Sequence, residues 1–489
     1  MSSYIPALPP RAHQIEGLEK ASGRPGFMWL MEMGTGKTKT DLDETGRMAH
    51  DGEIDACLML APKGVYTNWL TDEIPKHWLP DFRDEWAMGT WRGGGTVANR
   101  AEINSMFAQD GRRKFMFMNI EAIAASDKAF NVAFEFVRRN AGRVKISIDE
   151  STVIKSHNSV RKKAVDRLKG YAAVRRCLSG QPVPNGPLDI WAQADFAAPG
   201  HLGSSFYGFR SRYAVMQKKQ FDPTKKPVDV VVGYRDIPEL RDRIRLISFR
   251  KTKAECLDLP PKVYLPFRHV ELTDEQRRIY REMVDNAIAE IDIVLKEQGP
   301  IASAQLALVR MLRLQQIVCG HVVDNEKNVH RLKTNRPAAL LEATEEVRGA
   351  GIVWANFQDD LDRVTEVLER AYPGKVVAYH GRVSQEQRDI GKKRFQDGSA
   401  DWFVGSPSAG GRGITLLRGV NTIYYSNSHN LDHRDQSEDR PHRDGQTSTC
   451  AYQDLVATDT FEAKVVDALR KKIDLSTAVM GDSFRHWVI

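Results

Sequence analysis

The stretch MEMGTGKTKT, residues 31–40, constrains the fold of this chain more than any other. Its glycines let successive backbone N–H groups point at phosphate oxygens, Lys37 adds a positive charge for the β- and γ-phosphates, and the Thr38 hydroxyl is a candidate Mg²⁺ ligand. Such a loop joins a strand to the start of a helix. The apolar run 27–31 precedes it, and the residues after Thr38 are compatible with a helix. Met31 stands where the full motif has glycine. The stretch therefore predicts a site for a nucleoside triphosphate.

A glutamine lies about twenty residues before this loop. In the segment 8–18 two prolines end a loop, and Ile15 and Leu18 begin a helical face. The side-chain amide of Gln14 both donates and accepts hydrogen bonds, so it is able to read the edge of an adenine. Taken without the loop, Gln14 is typical of a surface residue.

Two carboxylates follow a later apolar strand. Residues 56–61 form a buried-type strand that leads to Lys63, a candidate contact for a nucleic-acid backbone, and residues 144–149 form another. At the end of the second strand Asp149 is placed to hold Mg²⁺, and Glu150 to orient or deprotonate an attacking water. Strands that alternate with helices in this way predict a parallel α/β sheet with its ligands at the carboxyl ends of the strands.

The composition of the chain changes after the two carboxylates. Residues 176–185 form a further strand and a polar turn, followed by a helix through Trp191. Residues 200–250 are basic and aromatic, which favours either an insertion lying on DNA or a loop-rich subdomain closing the core. Prolines at 260 and 261 mark a boundary.

The second half repeats the alternation without a phosphate loop. Residues 273–348 have apolar residues at helical spacing, and strand–helix alternation restarts at Gly351. A Gly-rich turn, residues 408–416, is able to approach phosphate. Arg440 and Arg443 lie three residues apart, and on a helix they would share one face and reach one triphosphate.

Composition limits the remaining choices. The 489 residues carry a net charge of +7 with basic residues in clusters, which favours a polyanionic partner, although each cluster alone fits a solvated surface. We find no apolar run near 18 residues and no signal-peptide core, so we expect a soluble, cytoplasmic protein. Five scattered cysteines argue against a disulfide framework and a zinc site.

Together these motifs resemble the superfamily 2 helicases, and within them the Swi/Snf-type DNA-translocating ATPases. The resemblance covers nearly the whole chain in the right order. The matching segments are Arg11 to Gly17 (the adenine-reading motif), MGTGKT (motif I), Ala61-Pro62-Lys63 with Trp69 and Glu73 (motif Ia), Asp149-Glu150-Ser151 (motif II), Ser179 to Pro182 (motif III), Arg250 to Pro260 (the inter-lobe segment), Ser408 to Leu416 (motif V) and Gln436 to Gln446 (motif VI).

The resemblance implies an α/β fold with two tandem RecA-like parallel-sheet lobes, helical insertions and an ATP cleft between the lobes. It implies lobe 1 at 1–255, a linker at 256–270, a helical insertion at 271–350, lobe 2 at 351–475 and a tail at 476–489. The implied cofactors are ATP and Mg²⁺, and the implied partner is DNA, duplex or forked. The sequence leaves the oligomeric state open, and we expect a monomer.

Residue roles follow from the same resemblance. The catalytic residues would be Lys37, Asp149, Glu150, Arg440 and Arg443, with the two arginines as arginine fingers. The ATP-binding residues would be Arg11, Gln14, Met33, Gly34, Thr35, Gly36, Lys37, Thr38 and Gly413, and Mg²⁺ would be held by Thr38 and Asp149. The DNA-binding residues would be Lys63, Gly381, Ser408, Gly410 and Thr415, and the coupling residues Ser179 and Gln181.

The chain departs from the family pattern at three places, and these leave alternatives open. Gln181 replaces a threonine, Thr415 stands where an asparagine is usual, and the acidic motif reads DEST instead of DEAH. We expect ATP hydrolysis to survive these changes, whereas the coupling to DNA movement is in doubt. The alternatives are a fork-remodelling or strand-separating helicase and a nucleotide-gated DNA-binding protein. A viral packaging motor with a nuclease lobe would need a carboxylate cluster in place of the two arginines. The length favours a compact bacterial or phage motor.

Overall fold

The structure is a computed structural model. It describes residues 4–62, 65–93, 95–184, 186–219, 228–298, 300–324, 326–410, 414–427, 431–463, 466 and 469. By its contacts the chain divides into two compact units. The first runs up to Met216 and again from Val231 to Asp258, and the second holds Gln217 to Val230 and continues from Leu259. The division after Asp258 falls inside the predicted linker.

Most strands that build the first unit are short apolar runs, and two of those given next, Ala214–Lys219 and Val228–Tyr234, extend into the segment Gln217 to Val230. The strands are β1 Gly26–Met31, β2 Ala56–Ala61, β3 Trp86–Thr90, β4 Arg113–Asn119, β5 Val144–Asp149, β6 Val174–Leu178, β7 Ala214–Lys219, β8 Val228–Tyr234 and β9 Ser248–Lys251. The helices are α1 Ala12–Ala21, α2 Lys37–His50, α3 Val65–Asn68, α4 Ile74–His77, α5 Pro80–Asp84, α6 Val97–Ser105, α7 Ile120–Ala125, α8 Asp127–Arg139, α9 Val160–Lys169, α10 Ile190–Ala197, α11 Phe206–Tyr213, α12 Ile237–Leu246 and α13 Lys253–Cys256. A π-helix at Trp69–Glu73 and 3₁₀ turns at Ser151–Ile154 and Pro187–Asp189 complete them.

Seven of these strands form one sheet in the order β3-β4-β2-β5-β6-β1-β9, with every neighbouring pair parallel. The residues of β1, β2 and β5 are buried throughout, as expected for strands covered on both faces. Parallel strands end at one edge, so the residues after β1, β5 and β6 meet there. The predicted α/β sheet is confirmed.

The segment 200–250 contains more regular structure than either sequence interpretation expected. It forms α11, the two-stranded sheet β7–β8, α12 and β9, and β9 completes the main sheet beside β1. Four residues, Ser248–Lys251, are too few to show a clear period, and their place is set by pairing with the distant β1.

The second unit repeats the architecture. Its strands are β10 Lys262–Tyr264, β11 Arg268–Val270, β12 His321–Val323, β13 Val329–Arg331, β14 Gly351–Trp354, β15 Val376–Tyr379, β16 Trp402–Gly405, β17 Asn421–Tyr424 and β18 Cys450–Ala457. Its helices are α14 Asp274–Gln298, α15 Pro300–Cys319, α16 Arg336–Glu345, α17 Gln358–Ala371, α18 Gln385–Asp397, α19 Pro407–Gly410 and α20 Leu431–Glu438. A parallel sheet runs β10-β18-β17-β14-β16-β15, and β11 also pairs with β18.

One hairpin interrupts the predicted helical region 273–348. After α15 the backbone of Gly320 has φ +94°, a left-handed conformation that favours glycine, and the antiparallel pair β12–β13 follows. Strands of three residues leave no periodic signal, which is why the sequence did not predict them. Among the helices that lie in the described residues, none has both the length and the apolar character needed to cross a membrane.

Candidate active site

The loop between β1 and α2 has the conformation that its sequence predicts. Gly34 and Gly36 have φ of +83° and +88°, so two turns of the loop use glycine's access to the left-handed region. Thr35 is tied back to Glu32, because its backbone N–H and its hydroxyl both donate to the Glu32 carbonyl at 3.3 and 2.8 Å. Lys37 and Thr38 begin α2. The helix N-terminus therefore follows directly on the glycine turn, an arrangement suited to phosphate.

Helix α1 contacts this loop through two polar side chains. Gln14 is buried, with its Oε1 accepting from the Arg11 backbone N–H at 2.9 Å and its Nε2 donating to the Gly36 carbonyl at 3.4 Å. His13 Nε2 lies 2.9 Å from the carbonyl oxygen of Thr35. The interpretation of Gln14 as a surface residue is wrong, because the buried face of α1 contains His13 and Gln14, whereas Ile15 is exposed.

The end of β5 brings two carboxylates to the loop. Glu150 Oε1 lies 3.9 Å from Lys37 Nζ. Glu150 itself has φ 51° and ψ 55°, a left-handed conformation that is uncommon outside glycine, asparagine and aspartate. Its backbone N–H donates to Asp149 Oδ1 at 3.0 Å. The sharp turn after β5 thus presents two adjacent carboxylates beside the loop lysine.

Asp149 is buried, and its carboxylate is held in place. Trp69 Nε1 donates to Asp149 Oδ2 at 3.1 Å. Burial and the neighbouring charge of Glu150 raise the pKa of Asp149 to about 6, against the opposing effects of Lys37 and Trp69. A buried carboxylate with a raised pKa beside a lysine is characteristic of functional sites.

The turn after β6 packs directly on the phosphate loop. A Cβ at Gly180 would lie 3.1 Å from Met33 Cγ and 3.2 Å from the Met33 backbone nitrogen. Ser179 is buried, and its Oγ accepts from the Gln181 backbone N–H at 3.1 Å. The predicted coupling residues Ser179 and Gln181 therefore flank the glycine that contacts the loop.

Arg440 and Arg443 come together in the second unit, but not on a helix. Helix α20 ends at Glu438, and Pro441 is unable to continue it, so the prediction that the arginines share a helical face is wrong. Arg440 is buried and donates through Nη1 to the Ile414 carbonyl at 2.9 Å. Arg443 Nη1 donates to the same carbonyl at 3.5 Å. A turn brings the two guanidinium groups to one carbonyl, whereas the sequence predicted that helical spacing would bring them together.

The candidate DNA contacts lie after strands of the second sheet. Gly381 follows β15 and its carbonyl accepts from Arg388 Nη2 at 3.4 Å. After β16, Ser408 and Gly410 belong to the short helix α19, where the sequence predicted a turn. Thr415 is held through its carbonyl, which accepts from Gln396 Nε2 at 2.6 Å. Lys63 and Gly413 lie outside the described residues.

Two models of known protein families match this chain. The SNF2-related domain matches residues 18–322, and the helicase conserved C-terminal domain matches residues 334–445. The chain belongs to the SNF2-related family. The resemblance found in its motifs is thereby confirmed.

Named relatives of this SNF2-related chain are much longer. An uncharacterized ATP-dependent helicase of Mycoplasma genitalium is 28% identical over 335 residues, which are 68% of this chain and 30% of the relative. A putative ATP-dependent helicase/translocase of Bacillus subtilis is 25% identical over 353 residues, covering 70% of this chain and 36% of the relative. The human DNA repair and recombination protein RAD54-like is 23% identical, and the alignment covers 96% of this chain and 66% of the relative. The chain thus spans about a third of the length of the first two.

A solved structure also aligns with this SNF2-related chain. The Sulfolobus solfataricus SWI2/SNF2 ATPase core in complex with dsDNA is 24% identical, and the alignment covers 100% of this chain and 97% of that chain with a TM-score of 0.43. At that score the fold assignment rests on the two parallel sheets themselves.

Sequence reasoning missed three residues of this SNF2-related site. It named Trp69 only as part of motif Ia, whereas its indole donates to Asp149 and orients that carboxylate. It gave His13 no role, although the imidazole contacts the loop. It also passed over Glu32, whose Oε2 accepts from the Lys253 backbone N–H at 2.7 Å and so joins the loop to α13. The first two had a signal, since both lie within motifs; Glu32 had none, because its partner is 221 residues away.

Proposed function

We propose that this chain is a DNA-dependent ATPase that couples ATP hydrolysis to movement along, or remodelling of, duplex DNA. The observation that carries the proposal is the placement of Glu150 3.9 Å from Lys37, beside the buried Asp149 and the glycine loop. Membership of the SNF2-related family supports it.

Each residue of this group suits one part of phosphoryl transfer. The loop N–H groups and Lys37 would bind the β- and γ-phosphates, and Glu150 would orient the attacking water and accept its proton. Lys37 keeps Glu150 close to the loop, and the Glu150 backbone turns sharply after β5, so the carboxylate is presented toward the phosphates. Gln14, already aligned by the Arg11 N–H, would read the adenine edge.

The side chains present fit Mg²⁺. A buried carboxylate, Asp149, and the hydroxyl of Thr38 in the first turn of α2 offer the hard oxygen donors that this ion prefers. A bound Mg²⁺ supplies charge neutralisation at the phosphates. Trp69 fixes one carboxylate oxygen of Asp149 and so limits the rotation of the group.

Arg440 and Arg443 are the candidate arginine fingers. Their shared hydrogen-bond acceptor, the Ile414 carbonyl, is a neutral partner. Exchange of such a partner for phosphate oxygens developing charge in the transition state would accelerate hydrolysis. For DNA we propose the second-unit residues Gly381, Ser408, Gly410 and Thr415, together with Lys63, as backbone contacts that are independent of sequence.

The test is ATP turnover measured with duplex, forked and single-stranded DNA, for the parent and for Glu150→Gln. We expect duplex DNA to stimulate the parent most, and Glu150→Gln to bind ATP without hydrolysing it. Turnover by Glu150→Gln at the parental rate would reject the assignment of Glu150. Greater stimulation by forks, with strand release, would favour the strand-separating helicase. ATP binding without turnover by the parent would favour a nucleotide-gated DNA-binding protein.

A further inference from the structure

A line of polar side chains runs from the phosphate loop into the interior of the first unit. We call it the polar seam, and define it by Lys37, Asp41 and Glu44 of α2, Lys145, Ser147 and Asp149 of β5, and Arg176 of β6. On α2 the three residues lie at i, i+4 and i+7, which is one helical face. On β5 the three alternate, which is one face of the strand. One polar face of the helix therefore packs against one polar face of the strand.

The contacts between α2 and β5 occur in order along the seam, starting at the loop. Next to the loop, Lys37 approaches Glu150, which follows Asp149. One helical turn further, both carboxylate oxygens of Asp41 accept from Ser147 Oγ at 3.2 and 3.1 Å. Lys145 Nζ then lies 2.9 Å from Asp41 Oδ1 and 3.0 Å from Glu44 Oε2.

The seam ends on the neighbouring strand. Arg176 donates through Nε and Nη2 to both oxygens of Glu44, with distances of 2.7 to 3.0 Å. Arg176 precedes Ser179, the first coupling candidate, by three residues. The seam thus connects α2 with the strand that carries Asp149 and with the strand that leads to the Gly180 contact on the loop.

The charges of the seam interior are buried and balanced. Asp41, Lys145 and Arg176 have no exposed surface, and Glu44 is 1% exposed. Although burial alone would raise the pKa of Glu44, Arg176 and Lys145 lower it to about 2, so this carboxylate is charged. The seam interior thus joins two basic and two acidic side chains; burial raises the pKa of Asp41, against the attraction of Lys145. Buried ion pairs of this kind are weak evidence for stability. Their well-attested use is to select one register.

We propose that the polar seam is a positioning device for the ATPase site: it fixes the axial register of α2 against β5, and thereby holds Lys37 at Asp149 and Glu150. The inference rests on the proposed function. Apolar contacts around α2, such as those of Leu42 and Met48, are non-directional and tolerate rotation or a small shift of the helix. The hydrogen-bonded charges accept one alignment only. Asp41, Glu44, Lys145 and Arg176 are positioning residues, since none of them contacts the loop.

The test replaces part of the seam by apolar side chains without leaving a buried charge unpaired. The variant Asp41→Leu/Lys145→Met/Ser147→Ala removes one anion, one cation and one hydroxyl, and keeps the Glu44–Arg176 pair. We expect it to fold with a Tm at or above that of the parent. We expect kcat to fall about 10- to 100-fold with KM for ATP nearly unchanged, because small displacements of catalytic groups have effects of that size.

A matched control changes an ion pair of the same sheet at the surface. Arg143 Nη2 donates to Asp55 at 2.8 Å just before β5 and β2, and both side chains are about half exposed. Asp55→Asn/Arg143→Gln should leave kcat at the parental value. Hydrogen exchange of the α2 amides, measured without nucleotide, gives a second readout: the seam variant should exchange faster in the first turns of α2, and the control should not.

The outcomes separate the seam from the proposed function. A folded seam variant with parental kcat and parental α2 exchange overturns the inference. If the parent itself has no ATPase activity, the proposed function fails, whereas the exchange comparison still decides whether the seam fixes α2. If the triple variant does not fold, Arg176→Lys keeps the charge and loses the paired donors to Glu44; parental kcat and exchange in that variant would equally reject the inference.

Discussion

Glu150 combines the proposed catalytic carboxylate with a left-handed backbone. The φ of 51° places its Cβ where an L-residue is strained by about 1 kcal/mol or more. Glycine relieves that strain, whereas alanine keeps it. The residue therefore allows the backbone and the carboxylate to be tested separately.

We predict that the free energy of unfolding of Glu150→Gly exceeds that of Glu150→Ala by about 1 kcal/mol, so that the glycine variant unfolds at a higher denaturant concentration. The difference has this sign even though glycine is the more flexible residue in the unfolded chain. Both variants should lack ATP turnover. Urea unfolding of the two variants, with the parent alongside, measures the difference. Equal stability would mean that the left-handed turn is not strained in solution.

His321 gives a pH dependence at the same scale. It is buried at the start of β12, with Nδ1 3.6 Å from Asp360 Oδ1 and 4.0 Å from Asp359 Oδ2. Burial lowers the pKa of His321 to about 4, against the attraction of Asp359 and with help from Arg363 and Arg331. A lowered histidine pKa contributes stability that is complete above pH about 6.5 and is lost as the pH falls towards 4.

We predict that His321→Gln gains stability relative to the parent as the pH falls, on the order of 2 kcal/mol between pH 7 and pH 4.5. The neighbouring Asp360 carboxyl, whose pKa burial raises to about 7, is retained in both proteins. Urea titrations at the two pH values measure it.

At the scale of elements, the contact between the turn after β6 and the phosphate loop gives a steric prediction. Gly180→Ala places a methyl group 3.1 to 3.2 Å from Met33, including its backbone nitrogen, so the loop must move. We expect kcat/KM for ATP to fall roughly 10-fold. Gly170→Ala, where a Cβ meets nothing within 4 Å, is the matched control. Unchanged kinetics in Gly180→Ala would show that the loop tolerates the displacement.

The sequence predicted the elements that carry their own local signal. Runs such as 27–31, 56–61 and 144–149 are wholly apolar or end in paired carboxylates, and all three are strands of one parallel sheet. The elements that it missed depend on distant partners. Strand β9 is defined by pairing with β1, and the approach of Arg440 and Arg443 depends on a carbonyl about 26 residues earlier in the chain.

The same distinction applies to the polar seam. A helix reading KTKTDLDETG offers charged residues that suggest a solvated face, yet Lys39, Asp41, Asp43 and Glu44 are all buried. Lys39 and Asp43 pair with each other one helical turn apart. The partners of Asp41 and Glu44, which are Lys145 and Arg176, lie about 100 and 132 residues away. Charge balance across such separations is a property of the folded sheet, and no local pattern in the sequence contains it.

At the scale of the whole molecule, the net charge of +7 favours binding to a nucleic acid. Contacts to a nucleic-acid backbone release counterions, so affinity should fall with salt by a slope of about −0.9 in log K against log salt for each neutralised phosphate. The exposed basic residues Lys163 and Lys218 favour this binding through the phosphate backbone, whereas Lys162 is buried and paired with Asp166 and Asp195. We therefore expect binding to duplex DNA that is salt-sensitive and independent of sequence.

The last prediction distinguishes movement along duplex DNA from separation of its strands. We expect duplex DNA to stimulate ATP hydrolysis more than single strands do, and the protein to displace a third strand from a triplex without releasing a strand from a fork. The reason is that the proposed contacts go to the phosphate backbone, which is continuous in an intact duplex. Both assays use the parent and Glu150→Gln, because only displacement that needs hydrolysis counts as movement. Robust strand release from the fork without triplex displacement would reject the translocase and favour the helicase, whereas activity in Glu150→Gln would indicate binding alone.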